Sequence, residues 1–303
     1  MLSAYLGELA ALGAATFWTF SSLFFTIGGR RVGAFAVNRM RLVFAVLLVG
    51  TAHWLIYGQP FPAGADGYRV FWLGMSAIVG LVIGDTLLFQ CYVLVGARIG
   101  VLMFVLGPPF GALLSWLFLG EGMTSIELLA MALVLAGVLW VVLERAGGLA
   151  VGSIERRNFG LGLFLGVLAQ FCQQANLVMS KQGLIGGYSA LSGVMIRMLT
   201  ALIAIWLLAI IQREAGRTIR AVRADGRAAA AIFGGAFSGP FLGVWLSMIA
   251  VQSSRVGVAS TLMALTPVIS LPVVRFVLKE RVSPRAILGT LVAMAGVALM
   301  VLG

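Results

Sequence analysis

Three glutamines stand close together in an apolar stretch, LAQFCQQANLVMSK at residues 168–181. Projected on an α-helix, Gln170, Gln173 and Gln174 fall within an arc of about 100°. Neutral amides carry both hydrogen-bond donors and acceptors. On one face of a helix they can join neighbouring helices, or they can line an aqueous cavity and bind a polar solute. We predict that these three amides bind a substrate, and helix–helix bonding is the alternative.

Three ionisable residues also lie inside apolar segments: Asp85, Arg41 and Arg197. An ionised side chain at mid-membrane costs about 2.5–3.5 kcal/mol on insertion scales, so it faces protein or water. Asp85 is predicted to bind a substrate amine or to carry a coupling proton, and a structural carboxylate held by an arginine is the alternative. Arg41 and Arg197 are predicted to act in gating or to contact a carboxylate. Snorkelling toward the nearer interface is the alternative for both arginines.

Aromatic side chains and one serine recur at helical spacing in the neighbouring segments. They suit a ligand with an apolar body and polar ends, although ordinary helix packing would use the same residue types. We predict that these residues complete the substrate site: Trp18, Phe89, Tyr92, Ser238 and Trp245.

Prolines occupy matching places in two segments. Pro109 and Pro267 remove backbone donors inside apolar helices, and the freed carbonyls then need side chains or water as partners. Such breaks produce kinks, so both prolines are predicted to take part in coupling or gating.

Motifs for catalysis or metal binding are missing from the sequence. It has one histidine, no HExxH and no paired aspartates on facing segments. We therefore predict no catalytic residues, no metal and no cofactor. An intramembrane enzyme is the less favoured alternative.

The composition requires lipid as the solvent. The chain is 61% hydrophobic and 10% charged, against roughly 25% charged for a soluble domain. The fold class predicted is an all-α integral membrane protein with ten transmembrane helices. They lie near 4–27, 33–57, 69–95, 98–119, 123–143, 158–180, 188–211, 228–252, 256–278 and 283–302.

Basic residues between these segments predict the orientation. The loops after odd-numbered segments hold fourteen arginines and lysines, whereas the opposite side holds only Arg69, Lys181 and Arg255. Cytoplasmic loops carry the excess of positive charge, so both termini are predicted to lie outside. The net charge of +11 then reflects topology and contacts with lipid headgroups, and no nucleic-acid partner is predicted.

The two halves of the chain resemble each other. Residues 97–125 align with 254–283, and sixteen positions after Glu121 and Glu280 come Gly137 and Gly296. Upstream, Gly80-xxx-Gly84 aligns with Gly235-xxx-Gly239. The predicted division is a five-helix repeat at 1–145, a linker at 146–157 and a second five-helix repeat at 158–303. Because five is odd, the second repeat enters the membrane inverted, which is typical of alternating-access transporters with a site near the midplane.

Short motifs in both halves carry a family resemblance: RLVFA and RMLTA in segments 2 and 7, and LGEGMT and LKERVS before segments 5 and 10. With the ten-segment pattern, they resemble the EamA-type branch of the drug/metabolite transporter superfamily, and most closely the YddG-type amino-acid exporters. The resemblance implies a monomeric carrier in a bacterial inner membrane that exports amino acids or other metabolites. Family members commonly have cytoplasmic termini, so the orientation predicted above departs from the family.

Taken together, these features predict a secondary transporter that moves a small neutral or zwitterionic metabolite by alternating access. The resemblance favours amino acids, and the aromatic residues favour bulky or aromatic ones. Protons are the predicted coupling ion. Sugars or nucleosides are the alternative substrates, and a channel is disfavoured because no charged ring or filter-like loop is present.

Overall fold

The computed structural model describes residues 5–62, 64–88, 90–91, 94, 103–146, 156–266, 268–269 and 284–302, and all regular secondary structure in these ranges is helical. Ten helices follow the ten predicted segments. They are α1 (Leu6–Val32), α2 (Ala34–Tyr57), α3 (Gly67–Leu88), α4 (Gly107–Leu119), α5 (Ser125–Ala146), α6 (Arg156–Gly183), α7 (Ala190–Ile211), α8 (Gly226–Ser253), α9 (Val256–Met263) and α10 (Pro284–Leu302).

Most of these helices are built to cross a lipid bilayer. Six of them, α1, α2, α3, α6, α7 and α8, are long and apolar enough to span it, and α4, α5 and α10 contain shorter apolar stretches. Large apolar side chains face outward, such as Leu55 and Ile211, which are 78% and 68% exposed. Exposure of so much apolar surface to water is unfavourable, so we expect lipid chains to cover it. The prediction of an all-α multi-pass membrane protein is confirmed.

The segment between α7 and α8 differs from its prediction as a loop. It contains a short helix, Ala215–Ala224, in which Thr218 and Val222 are buried against the bundle and Arg217, Arg220 and Arg223 stay on the outside. The charged face obscured its helical period in the sequence. Three arginines on one amphipathic helix suit a headgroup region rather than free solution.

The described connections after odd-numbered helices, those after α1 and α7, meet at one end of the bundle, which we call the odd end. There Arg31 contacts Asp225 at 2.7 Å and Arg39 contacts Glu214 at 2.8 Å. The Arg31 side chain, and then the backbone N–H of Ala228, donate hydrogen bonds to the Asp225 carboxyl and lower its pKa from the usual value. The charge count assigns both of these connections to the cytoplasm.

Connections after even-numbered helices meet at the opposite, even end. The Tyr57 and Ser189 hydroxyls lie 2.8 Å apart, and Arg255 donates to the carbonyl of Gly122 at 3.0 Å. The helices therefore alternate in direction, as the loop pattern predicts.

The orientation of the two ends is testable with reporter fusions. A reporter fused after Gly303 is expected to lie outside, because the odd end carries most of the basic residues. A fusion that ends at Gln212, in the connection after α7, is the control and is expected to report the cytoplasm. The reverse pattern would contradict the assignment.

The predicted repeat is visible where α5 crosses α10. A Cβ on Gly137 would lie 2.5 Å from both the Gly289 carbonyl oxygen and the Ala293 nitrogen, and a Cβ on Gly296 would lie 2.9 Å from the Ala130 oxygen and 2.7 Å from the Val134 nitrogen. Gly137 thus packs on the residues seven and three positions before Gly296, and Gly296 packs on the residues seven and three positions before Gly137. A reciprocal contact of this kind is what a two-fold relation between the halves produces.

Helices α3 and α8 are also counterparts, and their register corrects the sequence alignment. Both contain a seven-residue π-helical segment, Ile78–Gly84 and Phe237–Gly243. Gly80 and Gly84 therefore correspond to Gly239 and Gly243, one turn later than predicted. Because α8 carries glycine at 235, 239 and 243, spacing alone could not choose between the two registers.

Candidate functional site

Asp85 lies at the centre of a buried polar group that joins α2, α3 and α6. Arg41 forms an ion pair with it, and Nε2 of Gln173 donates a hydrogen bond to its Oδ1 at 2.8 Å. Nε of Arg41 also donates to Oδ1 of Asn38 at 2.7 Å, and the guanidinium lies 5.7 Å from the centre of the Phe25 ring. The side chains of Arg41 and Asp85 are only 9% and 13% exposed. Asp85 is thus held by an arginine, as its structural alternative predicts, and Arg41 pairs inside the bundle instead of snorkelling to an interface.

Arg197 lies in a second buried polar group, between α3, α6, α7 and α8. Its Nη1 donates to the hydroxyls of Ser180 and Ser76, the latter at 3.1 Å, and lies 3.7 Å from the sulfur of Met248. Its Nε is buried without a hydrogen-bond partner. Within the described ranges, no carboxylate forms an ion pair with Arg197.

Side chains on α6 link the two arginines. Oγ of Ser180 is 3.3 Å from Oδ1 of Asn176, and Nδ2 of Asn176 is 3.3 Å from Oε1 of Gln173. We call the sequence Arg41–Asp85–Gln173–Asn176–Ser180–Arg197 the polar chain.

The polar chain crosses the middle of the bundle. Arg41 lies two turns from the start of α2 at the odd end, and Arg197 lies two turns from the start of α7 at the even end. At 1.5 Å per residue each is about 10 Å from its own end. The two arginines therefore occupy equivalent depths in opposite halves of the membrane.

Glycines on α3 make room for the polar chain. A Cβ on Gly80 would lie 2.5 Å from Cγ of Asn176, and a Cβ on Gly84 would lie 3.2 Å from Nε2 of Gln173. The π-helical segment contains both glycines, and Nε2 of Gln173 also reaches the Gly80 carbonyl at 3.4 Å. Close backbone approach is the reason that small residues are needed here.

The three predicted glutamines do not form one set. Gln173 faces α3, whereas Gln170 and Gln174 face α4, where a Cβ on Gly107 would lie 2.9 Å from Nε2 of Gln174. Nε2 of Gln170 and Oε1 of Gln174 are buried without a hydrogen-bond partner. Neighbouring positions on a helix can share a broad polar arc and still meet different helices.

Two of the predicted aromatic residues, Trp18 and Trp245, lie on the symmetry-related pair α1 and α8. A Cβ on Gly243 would lie 2.6 Å from the Trp18 ring, just as Gly84 approaches Gln173 on the other side. Trp245 stacks on Phe241 with ring centres 5.9 Å apart. Ser238 donates to the Gly234 carbonyl of its own helix at 2.9 Å, so its hydroxyl is already satisfied there.

Pro109 is predicted to break a helix from inside, but it lies at the beginning of one. Pro109 is exposed in the first turn of α4, after a 3-10 turn at Met103–Leu106, so it begins the helix and does not interrupt it. The first helical turn needs no internal N–H donors, which makes proline acceptable there. Phe89, Tyr92 and Pro267 lie outside the described residues.

The even end contains a cavity of about 360 Å³ that the sequence did not reveal. Its lining consists of Glu8, Glu127, Lys181, Gln252, Ser253, Ser254, Arg255 and Val258. Lys181 pairs with Glu121 and Arg255 pairs with Glu127. Lys181 lies on the same helical face of α6 as Gln170, and that was the signal for this site in the sequence; its partners come from distant parts of the chain.

Glu121 accepts a hydrogen bond from a different helix than its position in the sequence suggests. Its position just before α5 predicts a structural carboxylate at the N-terminus of that helix. Instead its Oε2 accepts the N–H of Val256 at 2.9 Å, at the start of α9, while Glu127 accepts the N–H of Thr124 before α5 at 2.8 Å.

Comparisons with known proteins agree with this architecture. The model of the EamA-like transporter family matches residues 5–143 and again residues 160–302. One crystal structure superposes with a TM-score of 0.74 at 17% sequence identity, covering 97% of this chain and 95% of the other, which shows a shared fold. No curated protein sequence matches the chain. Since the family model covers nearly all of both halves, the chain belongs to the EamA-like transporter family.

Proposed function

We propose that the protein is a secondary transporter that exports small neutral or zwitterionic metabolites, with bulky or aromatic amino acids as the preferred class. The observation that carries this proposal is the polar chain. It crosses the bundle from Arg41 to Arg197, which are equivalent positions in the two repeats, and contains the Asp85 carboxylate and two amides between them. The likeness of the motifs to amino-acid exporters supports the direction of transport.

The two symmetry-related helix pairs offer different chemistry to a solute between them. The α3–α6 pair presents Asp85 and Gln173, and the α1–α8 pair presents Trp18 and Trp245. A solute with a polar head and an apolar body satisfies both sides. Amino acids with large apolar side chains have this form.

Ion pairs between the halves support alternating access. At the even end, Lys181 pairs with Glu121 and Arg255 with Glu127, and at the odd end Arg31 pairs with Asp225 and Arg39 with Glu214. Each pair joins one residue from each half of the chain. Opening either end therefore breaks that end's pairs and leaves the other end's pairs in place.

Counterflow in proteoliposomes tests the proposal. The purified protein is reconstituted with unlabelled phenylalanine inside, and uptake of labelled phenylalanine is followed, with leucine, glucose and uridine as parallel solutes. The expected result is transient accumulation of the labelled amino acid. Chemical conversion of the solute would indicate an enzyme, and flux without trans-stimulation would indicate a channel.

Gln173→Leu is expected to weaken transport at least tenfold while the protein stays folded. The substitution removes a hydrogen bond to the Asp85 carboxylate, and hydrogen bonds to charged groups contribute about 1.5–3 kcal/mol. The measurement is the initial rate of counterflow across a range of solute concentrations. Gln182→Leu, on the same helix but outside the polar chain, is the control, and equal kinetics in both variants would exclude Gln173 from the site.

A further inference from the structure

The charges buried along the polar chain do not balance. Arg41 and Arg197 contribute two guanidinium groups and Asp85 contributes one carboxylate, which is already paired with Arg41. Arg197 is 1% exposed and its partners are the hydroxyls of Ser76 and Ser180 and the sulfur of Met248. A buried charge without a counterion costs several kcal/mol.

Arg197 is unusual beside the other buried arginines. Arg39 and Arg41 are also largely buried, yet each has a carboxylate partner, Glu214 and Asp85 respectively. Even the more exposed Arg255 has Glu127. Arg197 is thus the most deeply buried arginine of the described ranges, and it lacks the carboxylate partner that Arg39, Arg41 and Arg255 have.

From this imbalance we propose that Arg197 binds the carboxylate of the transported solute. This inference rests on the proposed transport of amino acids and adds the residue that selects for an acid group. The guanidinium offers five donors in a planar fork that matches a carboxylate. Its Nε is buried and unpartnered, so a donor is available for an incoming oxygen.

The even-end cavity provides the approach to Arg197. Gln252 lines the cavity and lies one turn beyond Met248 on α8, and Lys181 in the cavity wall follows Ser180 on α6. Met248, whose sulfur lies 3.7 Å from Nη1 of Arg197, is thus one turn of α8 away from the cavity lining. Methionine is unbranched and flexible, so its side chain can turn aside for a carboxylate group.

The inference predicts discrimination between acids and their neutral analogues. A primary amide has nearly the shape of a carboxylate but no negative charge, so it leaves Arg197 uncompensated. 3-Phenylpropionate keeps the acid and lacks the amine, and 3-phenylpropionamide lacks both charges. The acid is expected to bind at least tenfold more tightly than the amide.

Binding is measured as the shift in unfolding temperature of the full-length protein in detergent at increasing ligand concentration. Wild-type protein is expected to be stabilised by 3-phenylpropionate and phenylalanine, and much less by 3-phenylpropionamide and phenylalaninamide. Arg197→Gln is expected to abolish this preference, and Arg197→Lys to weaken it at least tenfold because the fork is lost. Arg39→Gln, which removes a buried arginine that has its own carboxylate, is expected to keep it.

Equal effects of acid and amide on the wild type, or no effect of either, would overturn the inference without any variant having to fold. Acid preference that survives in Arg197→Gln would also overturn it. Failure of the proposed function looks different: acids bind in an Arg197-dependent manner, yet counterflow of phenylalanine and leucine is absent.

Discussion

Asp85→Asn is expected to remove the dependence of transport on the proton gradient and to destabilise the protein. The substitution leaves Arg41 buried without its counterion, and breaking a buried ion pair from one side costs about 3–5 kcal/mol. A side chain that cannot be protonated or deprotonated also cannot carry a coupling proton. The measurements are efflux from proteoliposomes with and without an imposed pH gradient, and thermal unfolding in detergent.

A double variant separates the two effects. In Arg41→Gln/Asp85→Asn no uncompensated charge remains from the pair, so stability is expected to recover in part while proton dependence stays absent. Asp66→Asn is the matched control, since Asp66 and Arg69 form an exposed pair at the even end, and exposed pairs contribute only about 0–1 kcal/mol. Gradient-dependent efflux in Asp85→Asn would show that coupling lies elsewhere.

Gly137→Ala is expected to produce the largest loss of stability among the glycine substitutions. The added Cβ would lie 2.5 Å from backbone atoms of Gly289 and Ala293, and backbone cannot move aside as a side chain tip can. Overpacking typically costs about 1–3 kcal/mol, and a backbone clash belongs at or above the upper end. Thermal unfolding and the yield of monodisperse protein measure the effect.

The reciprocal geometry allows a sharper test of the repeat. Gly296→Ala is expected to cost a similar amount, and the double variant is expected to cost less than the sum, because one separation of α5 from α10 relieves both clashes. Gly29→Ala is the control, since a Cβ there meets nothing within 4 Å, and alanine favours the helix by up to about 1 kcal/mol. Strict additivity, or a loss at Gly29 equal to that at Gly137, would contradict the proposed packing.

Apart from the short helix Ala215–Ala224, the sequence by itself determined the membrane class, the approximate positions of the helices and the presence of two related halves. These properties depend on local composition and period: an apolar stretch of sufficient length has to form a helix in lipid, since every backbone polar group needs an internal partner. That Asp85, Arg41, Arg197 and Gln173 have partners inside the bundle was also readable, because a polar group in such a stretch has to find protein or water.

Only the tertiary structure decided which of these residues meet. Helical period assigns a side chain to a face but does not say which helix lies opposite, so Gln173 could not be separated from Gln170 and Gln174 in advance. The register of Gly80 and Gly84 against Gly239 and Gly243 depended on π-helical segments that no spacing rule marks. Most of all, Asp85, which is the one carboxylate of the polar chain, pairs with Arg41 and leaves Arg197 with hydroxyls. That choice follows from depth in the membrane, because α3 brings Asp85 to the level of Arg41 near the odd end and Ser76 to the level of Arg197 near the even end.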